Sequence, residues 1–335
     1  MSPKTRTLAV SLAAVSFALV LMELLITRLF GVILFAQFAH LALALALMGI
    51  GVGAVLQHLR PSLVPDQGLE QRVAVLSLIQ AGLSLLAVLA ALNFPIVSQF
   101  ESPPESYQER SSIVDNLVDP WWFAALLPVL AAPFTAAGLI LAGVFQRRRK
   151  DIGTLYAFDL AGGALAAVLF LPLLSAMAGP DLVFLVILAL AVAAFVLSTG
   201  RTRMASGALG VLALLITGFG FADQVLKVRF AAGYSEDSIT ASIWTPVARV
   251  SIAELERGHY ITLDNSSASR IPRNAEDVRI LGQHLNRSLV YRLHEPGARV
   301  AIMAASAGPE VAVALSHGHT RIDAIDIAGG IHELI

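Results

Sequence analysis

The sequence predicts a multi-span α-helical membrane domain, followed by a small β-rich segment and an incomplete Rossmann-like α/β unit. The 335 residues are 56% hydrophobic and only 14% charged, whereas a soluble domain carries about 25% charged residues. The deficit is uneven, because residues 7–222 contain nearly all of the long apolar runs and residues 223–335 have an ordinary soluble composition. This contrast predicts a membrane domain at 1–222 and a soluble tail after it.

A helix needs about 20 apolar residues to cross the hydrocarbon core of a bilayer. Seven stretches approach or exceed that length, at about 7–30, 31–56, 71–98, 121–145, 153–178, 180–199 and 204–222. We expect all seven to be helical, because lipid offers no hydrogen-bond partners to an open backbone. The first stretch is too long for the apolar part of a signal peptide, so we expect an uncleaved span.

The distribution of basic residues predicts the orientation in the cell (inner) membrane. With a cytoplasmic N-terminus, the inside segments hold ten Lys or Arg, and the outside segments before the tail hold two, Arg28 and Arg110. Basic residues favour the cytoplasmic side. An odd number of spans then predicts an exocytoplasmic tail. The acidic loop 99–120 is expected outside, with Trp121 and Trp122 in the aromatic belt at the membrane interface.

The tail divides into a connector region at 223–295 and the start of a Rossmann-like domain at 296–335. Alternating and β-branched residues predict strands in "SITASIWTP", "ARVSIAELE" and "HYITLDN". The following stretch "AEDVRILGQHLNRSLVYRLH" has the period of one amphipathic helix. Its predicted apolar face consists of Val278, Leu281, Leu285, Leu289 and Leu293.

The last segment, "RVAIMAASAGPEVAVALSHGHTRIDAID", has the order strand, turn, helix, strand. In dinucleotide and S-adenosyl sites, such a turn approaches the ligand, and an acid after the second strand binds the ribose. Asp326 stands 18 residues beyond Gly308, close to that spacing, and Asp323 is the weaker choice. The turn "AASAG" has a single glycine, so a β-α-β packing unit without a ligand remains an equal alternative at this point.

Several segments together resemble the membrane-anchored spermidine-synthase-like proteins, which join a multi-span helical domain to an aminopropyltransferase-type Rossmann domain. The membrane segments that carry the resemblance are "LMELLITRLFGVILFAQFAHLALALALMGIGVGA" and "GTLYAFDLAGGALAAVLFLPLL". The tail segments that carry it are "WTPVARVSIAE", "YITLDNSSAS" and "RVAIMAASAGPEVAVALSHGHTRIDAIDI". The resemblance covers nearly the whole chain.

The resemblance implies aminopropyl transfer from a decarboxylated S-adenosylmethionine-type donor, with Gly308, Glu310 and Asp326 in the cofactor-binding site. The family turn is a run of glycines followed by Arg and an acid. Here Ala304, Ser306 and Ala307 stand at glycine positions and Pro309 at the Arg position. Glu310 retains the acid, and Asp326 would bind the ribose.

The catalytic residue stays unknown. The family's catalytic Asp follows a third strand, and the sequence ends before such a strand begins. We therefore expect the chain as given to be inactive. That the chain is the front portion of a longer protein is an open alternative. A second chain or a homo-oligomer would otherwise be needed to complete the sheet. The alternative function is a non-catalytic membrane transporter, or a scaffold or assembly subunit whose tail binds a partner.

Four polar residues in the apolar runs form a predicted membrane polar site: Glu23, Arg28, His40 and Asp159. Ionisable groups within lipid are energetically costly and by default indicate a function. Pairing of Glu23 with Arg28, or of Asp159 with His40, would neutralise them. A purely structural role in helix packing is an open alternative, and the functional version is a polar-substrate or proton site between helices.

Composition excludes other classes of function. The chain has no cysteine, which excludes a disulfide framework, a thiolate metal site and a Cys nucleophile. The histidines near the C-terminus are scattered, so no metal site is expected. The net charge of −1 does not favour nucleic-acid binding, and the expected partner of the apolar runs is the lipid bilayer.

Overall fold

In a computed structural model, the described residues are 3–96, 118–256 and 258–335. They form a helical unit, comprising 3–96 and 118–230, and a C-terminal unit at 231–335. Nearly all of the predicted outside loop 99–120, with Arg110, lies outside the described residues.

The described part of the helical unit contains seven helices that are long and apolar enough to cross a membrane. This confirms the predicted number of apolar helices, and the protein is a multi-pass membrane protein by this criterion. The helices are α1 Pro3–Ile33, α2 Ala39–Leu59, α3 Leu69–Leu92, α4 Pro120–Arg147, α5 Ile152–Ala176, α6 Leu182–Leu197 and α7 Gly200–Gly220. The sixth reaches a membrane-spanning length together with the 3-10 turn Gly179–Asp181 directly before it.

Helix α1 lies at the centre of the helical unit and packs against α2, α5 and α6. Helix α4 packs against α2 and α3, and α7 packs mainly against α6. The apolar residues of α2, α5 and α7 are largely exposed. Exposed apolar side chains suit helices that border lipid, because lipid tails are as apolar as those side chains.

Small residues allow two helix pairs to cross closely. A Cβ atom at Gly53 of α2 would overlap the backbone of Thr135 and Leu139 in α4. A Cβ atom at Gly162 of α5 would overlap the backbone of Ala13 in α1. These contacts agree with the rule that small residues let helix backbones approach closely in lipid.

Asp119 begins α4 by accepting hydrogen bonds from the backbone N–H groups of Trp121 and Trp122, at 2.9 and 3.1 Å. An aspartate in this position satisfies amide groups that have no partner within the helix. The two indole side chains are 84% and 65% exposed. That exposure suits the predicted aromatic belt.

The C-terminal unit starts with an antiparallel meander of four strands in sequential order. The strands are β1 Ile239–Trp244, β2 Arg249–Leu255, β3 Gly258–Leu263 and β4 Ser267–Arg270. Three of the four were predicted, and β4 was missed because its four residues are small or polar. The turn from β3 to β4 places Asp264 and Asn265 at φ of 49° and 58°, a conformation that Asn and Asp tolerate better than most residues.

The predicted amphipathic helix is wrong as a single element. It consists of α8 Ala275–Gln283 and α9 Leu285–Arg292, and His284 between them has an extended conformation with ψ of 111°. Gly282, a poor helix former, lies next to the break. Because the two helices have different buried faces, Leu281 is buried while Leu285, Leu289 and Leu293 are exposed.

The chain then forms β5 Arg299–Met303, α10 Pro309–Ser316 and β6 Arg321–Ile325, as the sequence predicted. Strands β5 and β6 are parallel neighbours. Tyr291 and Leu281 pack with Ile302, Val313 and Ala314 in a small core on one side of this pair. The other face of the pair is exposed, as at Met303 and Ile325.

The last helix, α11 Ile331–Leu334, packs against β1 and β2. Ala328 and Ile331 form a second core with Val250 and Ile261 of the meander. A Cβ atom at Gly330 would lie 2.8 Å from Cγ2 of Thr245. The end of the α/β segment is therefore held on the meander by close apolar packing.

The crossing of α2 and α4 yields a direct test. Gly53→Ala should lower the stability of the detergent-solubilised protein by about 1–3 kcal/mol, because the added methyl overlaps α4 backbone. Gly51→Ala is the matched control in the same helix, since a Cβ atom there meets nothing within 4 Å. Thermal unfolding followed by circular dichroism compares the two. Equal melting temperatures for both variants would contradict the close crossing.

Candidate functional site

The turn between β5 and α10 has the backbone of a glycine-rich turn but a single glycine, Gly308. Ala304, Ser306 and Gly308 have φ of 56°, 48° and 80°. Positive φ costs a residue with a Cβ atom roughly 1–2 kcal/mol. Two of the three non-glycine residues that the resemblance places at glycine positions therefore adopt the conformation that glycine favours.

The carboxylate of Asp326 holds this turn in place. Its Oδ2 accepts the backbone N–H of Ser306 at 2.8 Å, and its Oδ1 accepts the backbone N–H of Ala328 at 2.8 Å. Asp326 thus connects the turn after β5 to the segment after β6. Each carboxylate oxygen can accept a further hydrogen bond, and the side chain is only partly buried. The predicted ribose-binding acid and the predicted turn are therefore in direct contact.

Glu310 lies in the first turn of α10, where a carboxylate is favoured by the helix dipole. Its Oε1 accepts a hydrogen bond from Nη1 of Arg287 at 2.7 Å. Burial raises the pKa of the nearby Tyr291 phenol, and the negative charge of Glu310 raises it further. Glu310 therefore forms a contact between α9 and α10, beside the turn that Gly308 ends.

The second strand acid, Asp323, points away from this site. Its Oδ2 accepts a hydrogen bond from Nε of Arg299 across the exposed face, at 2.8 Å. Both side chains are at least half exposed, so the pair is screened by solvent and contributes little to stability. Of the two acids that the sequence predicts as candidates for ribose binding, Asp326 contacts the turn and Asp323 pairs with Arg299 instead.

A cleft of about 230 Å³ lies at the other end of the strand pair. It is lined by Tyr291 and His294 of the α9 region, the first residues of β5, and His319 before β6. None of the three predicted cofactor-binding residues lines it. The cleft is distinct from the turn after β5, because Gly308 and Asp326 follow the carboxyl ends of the strands.

In the helical unit, Asp159 of α5 accepts a hydrogen bond from the hydroxyl of Ser16 in α1. The predicted partner His40 is instead exposed in the first turn of α2. His40 follows the end of α1, which lies about 25 Å along the helix axis from Ser16. The structure therefore replaces the Asp159–His40 pairing with an Asp159–Ser16 contact.

Glu23 stands two helical turns after Ser16, so both side chains lie on the same face of α1. Between them, Val20 approaches Gly163 of α5, with Cγ2 3.2 Å from a Cβ atom built there. Glu23 is half-buried. Its predicted pairing with Arg28 stays a prediction. Three oxygen-bearing side chains therefore lie along the contact of α1 with α5, those of Ser16, Glu23 and Asp159.

Sequence reasoning missed two residues that shape these sites. Ser16 is one of several serines in an apolar helix, and no spacing rule identified it as the partner of Asp159. Arg287 lies in the stretch that the sequence predicts as one amphipathic helix and was not a candidate site residue, whereas it contacts Glu310. The Ser16–Asp159 and Arg287–Glu310 contacts each join segments that are distant in the chain, so spacing along the sequence could not identify them.

No family model, curated protein or solved structure matches this chain.

Because the turn holds Ala304 and Ser306 at positive φ, we predict that glycine at either position stabilises the C-terminal unit. Ala304→Gly and Ser306→Gly should each raise the free energy of unfolding of the C-terminal unit by about 1 kcal/mol, because a glycine has no Cβ penalty at positive φ. Fluorescence of Trp244 reports this unit once Trp121 and Trp122 are replaced by Phe, since the chain has three tryptophans.

Ala305→Gly is the matched control within the same turn. Ala305 is buried, and its φ is not positive. Glycine there should lower stability by about 0.5–1 kcal/mol through added backbone entropy in the unfolded chain. Destabilisation by all three substitutions alike would contradict the positive-φ turn.

Proposed function

We propose that the protein is a membrane-anchored, spermidine-synthase-like protein whose β5–α10–β6 unit binds the adenosyl part of a decarboxylated S-adenosylmethionine-type ligand. The contact of Asp326 with the turn amide of Ser306 carries the proposal. It brings the acid that would bind ribose hydroxyls to the turn that would approach the adenosyl group. The Rossmann-like character of this unit is part of the same proposal, supported by the parallel β5–β6 pair and its connecting helix.

The proposal assigns roles to three residues in ligand binding. Asp326 has lone pairs left to accept two ribose hydroxyl hydrogen bonds. Gly308 lets the backbone come close to the ligand, since no side chain projects from it. Glu310 orders the start of α10 through Arg287, which fixes the position of the turn.

Aminopropyl transfer is the reaction that the family resemblance implies. An amine nitrogen would attack the carbon next to the sulfonium, and the carbon–sulfur bond would break with its electron pair passing to sulfur. An acidic residue would take the proton that the amine loses.

The proposed setting is the cell (inner) membrane, with the N-terminus cytoplasmic and the C-terminal unit exocytoplasmic. Seven apolar helices and ten basic residues in the inside segments against two outside support this orientation. The orientation conflicts with a cytosolic supply of the adenosyl ligand. A reporter fused after Ile335 that matures in the cytoplasm would contradict the exocytoplasmic assignment.

Ligand binding is tested by thermal unfolding with and without S-adenosyl compounds. At a concentration about 100 times the dissociation constant, a ligand that binds only the folded state stabilises it by about 2.7 kcal/mol. We expect this ligand-induced increment in the wild-type protein and expect it to disappear in Asp326→Ala. The same Trp244 signal reports the unit that contains the site.

Asp326→Ala also removes an acceptor from two backbone amides, which costs about 1–3 kcal/mol per unsatisfied group. The ligand-induced increment is therefore compared within each variant rather than between variants. Asp323→Ala is the matched control, because that acid lies on the same strand but faces Arg299. No increment in the wild-type protein at millimolar ligand would contradict adenosyl binding, and an increment lost equally in both variants would contradict the role of Asp326.

A second function is favoured by the contact of Asp159 with Ser16. Carboxylates inside a membrane domain commonly mark proton or substrate pathways. Asp159 and Glu23 lie along the same contact of α1 with α5, and the hydroxyl of Ser16 donates a hydrogen bond to Asp159. A transporter that moves a proton or a cationic substrate along this contact is the corresponding proposal.

Proton flux in proteoliposomes containing a trapped pH-sensitive dye tests this alternative. Asp159→Asn should return the flux to that of protein-free liposomes, and Ser16→Ala should reduce it because the carboxylate loses its hydroxyl partner. Asp66→Asn is the control, since Asp66 is exposed in the loop before α3. Wild-type flux no greater than that of protein-free liposomes would rule out proton transport.

A further inference from the structure

Helix α9 has an exposed apolar stripe that the rest of the C-terminal unit does not cover. Its exposed apolar residues, with Leu293 directly after its last residue, are Leu285, Leu289, Val290 and Leu293, which are 61%, 44%, 60% and 72% exposed. Ser288 and Tyr291 face the interior instead. Single exposed leucines are ordinary on protein surfaces. A row at positions 285, 289 and 293 is different, because the helical repeat makes it one continuous surface.

The charges on α9 suit a lipid headgroup region. The helix carries two arginines, Arg287 and Arg292, and no acidic residue. Arg287 pairs with Glu310, while Arg292 is exposed and makes one long contact, at 3.4 Å, with the carbonyl of Gly282. Leucines on one side with arginines beside them are typical of helices that lie in the membrane interface.

The chain connection keeps the start of the C-terminal unit close to the ends of the membrane helices. The connector after α7 is attached to the ends of membrane helices, because Asp181 accepts the backbone N–H groups of Val225 and Leu226 at 2.8 and 2.7 Å. Further along, the N–H of Arg229 donates to the carbonyl of Leu92, the last residue of α3, at 3.3 Å. The C-terminal unit begins at Ala231, two residues and at most about 7 Å of chain later.

We propose that α9 lies on the bilayer surface, with the leucine stripe Leu285, Leu289 and Leu293 inserted among the lipid headgroups and upper acyl chains. The tether supplies a high local concentration of lipid, so a short apolar stripe suffices for docking. Arg292 would extend to the headgroups while its methylene groups cover apolar surface. The bilayer is then a binding partner of the C-terminal unit, in addition to the proposed adenosyl ligand.

The experiment uses the full chain in lipid nanodiscs and takes advantage of its lack of cysteine. A single cysteine at Leu289→Cys carries an environment-sensitive fluorophore, and Glu276→Cys in α8 is the matched control at an exposed position. Leu293→Cys is a second test position, since its side chain is also exposed. Lipids with a nitroxide on the upper acyl chain quench a probe that lies in the interface.

We expect a blue-shifted emission and strong quenching by nitroxide lipid at positions 289 and 293, and neither effect at position 276. A blue shift without lipid quenching would mean that protein covers the stripe, such as a second copy or another partner, and would overturn the proposal. Emission typical of water at 289 and 293 would overturn it as well. Equal quenching at all three positions would also do so, because it would show no preference for the stripe.

Discussion

The absence of hydrogen-bond partners in lipid is the constraint on which the rest of this structure depends. It requires every backbone group inside the bilayer to be satisfied within a helix, so seven apolar runs become seven helices. Helices in lipid then gain little from burying apolar side chains and associate through close contact. Gly53 and Gly162 permit that contact at two crossings. The α1–α5 crossing also brings Asp159 to the hydroxyl of Ser16.

In the C-terminal unit, a single carboxylate has the corresponding organising role. Asp326 joins the turn after β5 to the segment after β6, and that segment leads into α11 on the meander. The turn retains positive φ at Ala304 and Ser306. Strain of this kind persists only where surrounding contacts impose it, and it concentrates at functional sites. The coupling of acid to turn is therefore the physical basis for the proposed adenosyl site, and nothing comparable exists at Asp323.

The sequence was most informative where a long-range period or composition determines structure. The seven apolar runs, the strands β1 to β3 and the β5–α10–β6 order all follow from such patterns. It was least informative where one residue redirects the chain, as at His284, whose extended conformation exposes Leu285 and Leu289. Partners of acids were also not predictable, because Ser16–Asp159 and Arg287–Glu310 join segments that only tertiary packing brings together.

An odd number of membrane-crossing helices would put the N-terminus and the proposed adenosyl and lipid-binding surfaces on opposite sides of the membrane. The most direct test labels single cysteines at Lys4 and at Glu276 with a membrane-impermeant maleimide, in intact cells and in inverted vesicles. We expect position 276 to react in intact cells and position 4 to react only in inverted vesicles. Labelling of both positions from the same side would contradict seven spans.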